Sequence, residues 1–103
     1  MHRPTFAAYL FHRDWRHVKV RIPTPLHSYT GRQALVEASG ETLEQITRDL
    51  DRRFPGIRFR MIDEQDHIRP HVKFFVNGEQ VLDLRTAVNS HDDFTIIQAF
   101  SGG

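Results

Sequence analysis

Reactive potential in this chain is concentrated in its last residues, Ser101, Gly102 and Gly103. A carboxylate on a residue without a Cβ, preceded by a second such residue, can be threaded through a narrow channel. It can then be approached from most sides, because no side chain crowds the reacting carbon. Extended from Phe100 to Gly103, the segment would reach about 13 Å at roughly 3.3 Å per residue. The competing reading is a frayed end that finishes in Gly-Gly by chance, about a 0.5% coincidence at an average glycine usage of about 7%. Cysteine is absent, which removes thiol nucleophiles, thiolate metal sites and disulfide staples. His67 and His71 lie four apart, but Pro70 between them spoils the helical geometry that would aim both at one metal. His2, His12 and His17 make no metal-ligand spacing either.

A reactive tail needs a rigid base, and Phe94 to Ala99 has the composition for one. It is β-branched and aromatic, without Gly or Pro, and reads as a strand that others pair with on both sides. Met1 to His17 is excluded from the fold argument as an extension expected to pack loosely. Its short apolar stretch, Thr5 to Phe11, is flanked by Arg3, Arg13 and Arg16 and is too short for a secretory signal. From His17, Val18, Val20 and Ile22 alternate with Lys19 and Arg21, the pattern of a strand with one buried face, and Pro23 and Pro25 end it. Gln33 to Ala38 reads as a returning strand after a long loop. Thr42 then opens a helix, with Gln45 three residues on as in a capping box. Leu43, Ile46, Leu50 and Phe54 form its apolar stripe; Glu44, Arg48, Asp49, Arg52 and Arg53 are expected to face solvent. Pro55-Gly56 stops it.

Ile57 to Ile62 reads as a short strand or an irregular cover, and Asp63 to His67 as a polar loop. His71 to Val76 and Glu79 to Leu82 flank Asn77-Gly78, the pair that supplies both positive-φ positions of a type I′ hairpin turn. A connection from Leu84 to Asp93 leads to the last strand. The order implies an α+β layer pair, one main helix across a mixed sheet, with the first and last strands parallel and adjacent in its middle.

Length and charge bound the function. A chain of 103 residues suits a single modest core. A net charge of +1 gives no support to a nucleic-acid-binding protein, and no apolar run approaches the roughly 18 residues of a membrane span. Val20, Ile22, Leu43, Ile46, Leu50, Phe74, Val76, Phe94 and Ile96 are the expected core. If they face the helix, Phe75 and Ile97 face out on the open side of the sheet, rimmed by Lys73 and leading towards Phe100 and the tail. Exposed apolar residues on neighbouring strands tend to mark interaction sites. The same patch would also suit a homodimer contact, or a cover formed by Met1 to His17.

Particular stretches carry a resemblance. Ile22-Pro23-Thr24-Pro25-Leu26 with Tyr29-Thr30-Gly31, Gly40-Glu41-Thr42-Leu43 at the helix start, Phe75-Val76-Asn77-Gly78-Glu79 at the hairpin and Ser101-Gly102-Gly103 at the end resemble the ThiS/MoaD family of sulfur carriers, in its CysO-like branch. Met1 to His17 has no counterpart in that pattern. The resemblance implies a β-grasp, ubiquitin-like domain over residues 18–100 with a flexible tail over 101–103, in a cytoplasmic protein that is not itself an enzyme. It implies that an E1-like adenylyltransferase of the MoeB/ThiF type uses ATP to adenylate the Gly103 carboxylate, and that sulfur then replaces the adenylate. A sulfur-accepting biosynthetic enzyme would use the resulting thiocarboxylate, and a metalloprotease acting on the tail would be a further partner. No bound cofactor, metal, nucleic acid or membrane is implied. The rival class is a ubiquitin-like protein modifier or a β-grasp interaction module.

Overall fold

The computed structural model describes residues 17–99. The expectations for Met1 to Arg16 and for Phe100, Ser101, Gly102 and Gly103 lie outside them. Within the described residues β1 (His17–Arg21) leads through a 3₁₀ turn (Thr24–Leu26) to β2 (Leu35–Ser39), followed by α1 (Leu43–Arg53) and a short α2 (Ile57–Met61). The hairpin β3 (Val72–Val76) and β4 (Glu79–Val81) precedes β5 (Asp93–Gln98). The five strands form one sheet in the order β2-β1-β5-β3-β4, with β1 and β5 parallel and the other pairs antiparallel. This is the β-grasp arrangement.

Each strand contributes its inward residues to one core. Val18 and Val20 of β1, Val36 and Ala38 of β2, Phe94 and Ile96 of β5 and Val72 and Phe74 of β3 are buried beneath the helices. Phe74 and Phe94 meet edge to face with ring centroids 5.0 Å apart, an arrangement that aromatic quadrupoles favour. The expected core is otherwise as read, except at Val76, which is only partly buried. It is the last residue of β3, beside the hairpin turn. Asn77 and Gly78 take the positive φ values, 52° and 86°, that the turn requires.

Helix α1 begins as its sequence demands. The Gln45 N–H donates to Thr42 Oγ1 at 3.2 Å, while Gln45 Oε1 accepts from Glu41 N–H at 2.8 Å, one residue earlier than in the reciprocal capping box. The Leu43 and Glu44 amides donate to the Thr86 and Leu84 carbonyls, so the connection before β5 is tied to the helix start.

Two further expectations change. Asp49 does not face solvent: its side chain is 4% exposed, and it accepts from the Ser39 N–H at 2.8 Å and from Arg53 Nε at 3.0 Å, with Arg52 also paired to it. A carboxylate on the flank of the stripe is tolerated there because it holds the end of β2 and two arginines at once. Ile57 to Ile62 is neither strand nor irregular cover, since Ile57–Met61 is helical. Ile57 and Met61, at i and i+4, both enter the core, and Phe59 is left 55% exposed beneath the Arg69 guanidinium. Asp51 accepts the Gly56 and Arg58 amides at 3.1 Å each, capping this helix from α1.

Candidate interaction face and tail exit

β5 is the middle strand of the sheet and the direct support of the tail. It pairs with β1 over its first three residues, Asp93, Phe94 and Thr95, and with β3 from Phe94 to Gln98, and beyond it the Ala99 N–H still donates to the His71 carbonyl at 2.9 Å. The chain therefore leaves the sheet between the end of β1 and the start of β3. The tail residues read as the reactive site, Gly103, Gly102 and Ser101, and Phe100 before them, follow that exit and lie outside the described residues.

The sheet face turned away from the helices is set by strand parity and register. His17, Lys19 and Arg21 of β1 lie on it, with Leu35, Glu37 and Ser39 of β2 opposite them. Across β5, Thr95 pairs with Arg21 and Phe75, and Ile97 pairs with Lys73. Phe75 and Ile97 are thus diagonal neighbours, within reach of one another for long side chains. Ile97 is 46% exposed, Phe75 is half-buried and Lys73 is exposed. The structure brings these three together at the tail end of the face, as the alternation of their strands predicts.

Leu35 is a member of this face that the sequence reading did not assign. It is also 46% exposed and sits opposite Arg21 in the row that contains Phe75. Its signal was available: Val36 and Ala38 are the apolar positions on the other parity, so Leu35 and Glu37 had to share the outer side. Charges on this face are arranged unevenly. Lys19 lies between Glu37 and Asp93, whereas Arg21 and Lys73 have Leu35, Thr95 and Ile97 as cross-strand partners. Net positive charge is consequently gathered beside the apolar residues and near the tail exit.

A cleft of about 700 Å³ lies elsewhere, lined by Gly40, Glu41, Thr42 and residues 87–92. It opens where β1 and β5 begin, the end of the sheet opposite the tail exit. The first amides of α1 beside it are taken by Thr86, Leu84 and Thr42, so no N–H array is left there for an anion. No group of His, Asp and Glu suited to a metal occurs among the described residues, and no helix among them is long and apolar enough to cross a membrane. The perturbed acids are turn-formers. Asp63 is held below the usual carboxylate range chiefly by the His67 N–H, and Asp83 by the Arg85 side chain and N–H.

Comparison with known proteins agrees with this geometry. The ThiS family profile matches residues 20–103. The chain is similar to the sulfur carrier protein CysO of Mycobacterium tuberculosis, 40% identical over 91 residues that span 84% of this chain and 98% of that one. In structure it is similar to a chain of the Amycolatopsis orientalis BexX/CysO complex, with a TM-score of 0.77 at 36% identity over 84% of this chain and 99% of that one. It is also similar to crystalline Mycobacterium tuberculosis CysO, with a TM-score of 0.76 at 38% identity over 81% and 99% of the two chains.

Proposed function

This chain belongs to the ThiS family of sulfur carriers, and on that premise we propose that it carries sulfur as a thiocarboxylate on Gly103. An oxygen of the Gly103 carboxylate attacks the α-phosphorus of ATP on an E1-like enzyme of the MoeB/ThiF type, and pyrophosphate leaves. Sulfide then adds to the acyl carbon and the bond to AMP breaks, leaving sulfur on the carrier. Neither step asks the carrier for a general acid or base; its part is to hold the carboxylate out on side-chain-free residues. The observation that supports this best is β5, a strand flanked by β1 at its start and paired with β3 to its end, whose hydrogen bonding extends to Ala99 immediately before Phe100-Ser101-Gly102-Gly103. The family match runs through the same residues.

The face bearing Phe75, Ile97 and Lys73 is the docking surface in this reading. A CysO chain in complex with BexX illustrates a similar carrier assembled with a second protein. For this chain the partners are the activating enzyme, a sulfur-accepting biosynthetic enzyme and a metalloprotease that trims or releases the tail, all in the cytoplasm. Deleting Gly103 is expected to leave the melting temperature nearly unchanged and to abolish ATP–pyrophosphate exchange on the cognate activating enzyme. With sulfide present, the intact chain gains the mass difference between sulfur and oxygen. A deletion variant that still supports exchange, or an isopeptide adduct on lysine in place of the mass gain, overturns the carrier reading.

A further inference from the structure

We propose that Asn77 is a deamidation site held in check by the fold: its side-chain amide is lost only when a clasp formed with Asp92 and Asp93 opens, and the product cannot rebuild that clasp. Asn77 precedes Gly78 at the exposed tip of the β3–β4 hairpin. In that dipeptide the following backbone nitrogen has no neighbouring Cβ to hinder its approach to the asparagine side-chain carbon. A Cβ on Gly78 would meet nothing within 4 Å, so the rest of the fold does not shield the turn.

Three hydrogen bonds hold Asn77 away from that reaction. Its Nδ2 donates to Asp92 Oδ1 at 2.9 Å, its Oδ1 accepts from the Asp93 N–H at 2.9 Å, and its own N–H donates to the Asp93 carbonyl at 2.9 Å. Both ends of the amide are thus occupied, which fixes the side chain towards the start of β5. The Gly78 nitrogen reaches Cγ only after the side chain swings back over the hairpin, and that swing breaks both side-chain bonds. Asp92 has a second tie, since its Oδ2 accepts from the Asn89 N–H at 2.8 Å. The carboxylate is therefore held in position independently of Asn77.

Once the clasp is open, a bond forms between the Gly78 nitrogen and Asn77 Cγ and the Cγ–Nδ2 bond breaks. The side-chain nitrogen leaves as ammonia, taking up the proton that the Gly78 nitrogen gives up. Water then opens the five-membered ring at one of its two carbonyls. Opening at Cγ leaves aspartate at position 77, and opening at the main-chain carbonyl leaves isoaspartate, with the backbone running through Cβ. Neither product restores the clasp. Aspartate puts a carboxylate oxygen where the Nδ2 donor faced Asp92, and two like charges at that distance repel. Isoaspartate also loses the donor, and it adds a backbone atom to a turn whose two residues are set at φ values of 52° and 86°. Deamidation thus frees the hairpin tip from the start of β5, beside the Val76–Phe94 and Phe75–Thr95 pairs.

Trypsin cuts after Lys73 and Arg85, and the peptide between them carries Asn77 as its one asparagine, so mass spectrometry of that peptide follows the reaction in the full chain. At neutral pH the folded chain is expected to deamidate there about tenfold or more slowly than the chain in urea, since two hydrogen bonds must break first. Urea too dilute to unfold the domain should change the rate little, because opening the clasp exposes little surface. Asp92→Ala should raise the rate severalfold with the far-ultraviolet circular dichroism unchanged. In the purified product, hydrogen exchange at the Asp93 amide should be faster than in the parent, with the Phe74 amide as protected as before. A folded chain that reacts as fast as the chain in urea, or faster, overturns the proposal. So does a rate that climbs in step with the globally unfolded fraction, which removes the clasp as the gate, and so does a folded Asp92→Ala chain that reacts as slowly as the parent. Unchanged exchange at Asp93 in the product overturns the loss of the clasp.

Discussion

Phe74 illustrates how much of this domain hangs on single side chains. It is fully buried at the middle of β3, packs edge to face on Phe94, and pairs across the ladder with Ile96 on one side and Val81 on the other. Removing its ring opens a cavity between sheet and helices that neither strand can close without breaking register. Phe74→Ala is therefore expected to cost about 3–5 kcal/mol. Urea unfolding measures it, and a loss under about 1 kcal/mol would show that the sheet relaxes around the cavity. Asp49 is the polar counterpart. Its carboxylate joins α1 to the end of β2 through the Ser39 N–H, and it neutralises Arg52 and Arg53 at the helix end. Asp49→Ala leaves that amide without its acceptor, at an expected cost of about 1–3 kcal/mol. Asp49→Asn keeps an acceptor and should lose less in the same measurement. Equal losses for the two would assign the effect to charge instead of the hydrogen bond.

Among the elements, those with a strong period were legible in the sequence and those fixed by a neighbour were not. The alternation in β1, the capped stripe of α1 and the Asn77-Gly78 turn each state their conformation locally, and the structure keeps all three. Ile57 to Ile62 has hydrophobic residues that satisfy two periods at once. Its helix is decided by tertiary contacts, with Asp51 of α1 holding the Gly56 and Arg58 amides while Ile57 and Met61 share the core. Asp49 was misjudged for a related reason, because an acid beside two arginines looks solvent-facing until the end of β2 arrives with an unpaired amide. The loop after Ile62 carries a pH dependence. Asp63 accepts the Gln65 and His67 amides at 2.9 Å each, and its pKa is lowered, first by the His67 N–H. A folded-state pKa below the unfolded one means a contribution fully present above the unfolded value, about 3.9, and lost as pH falls through the lower folded value. Stability measured from pH 6 downward should therefore fall less steeply on the acid limb for Asp63→Asn than for the parent. Identical acid limbs would show that this carboxylate adds nothing.

For the molecule as a whole, the fold and the faces of its sheet were open to inference because two inward-facing parities leave only one outward side. Leu35 escaped because its strand was read without assigning faces, and the tail's chemistry was legible only as a carboxylate free of side chains. What the assembled sheet adds is the separation of two kinds of interaction on one surface. Arg21 and Lys73 supply charge beside the tail exit, while Phe75 and Ile97 supply apolar area. Charges at a rim act mainly on encounter, and desolvated apolar contacts mainly on lifetime. Lys73→Glu is thus expected to slow association with the activating enzyme severalfold at low salt, and the difference should shrink as ionic strength shortens the Debye length. Phe75→Ser with Ile97→Ser should instead speed dissociation by tenfold or more, about 1.4 kcal/mol, with association nearly unchanged at any salt. Stopped-flow association and dissociation at two ionic strengths separate these effects. A double substitution that alters neither rate would move the docking surface off this face and leave the tail as the contact the two proteins share.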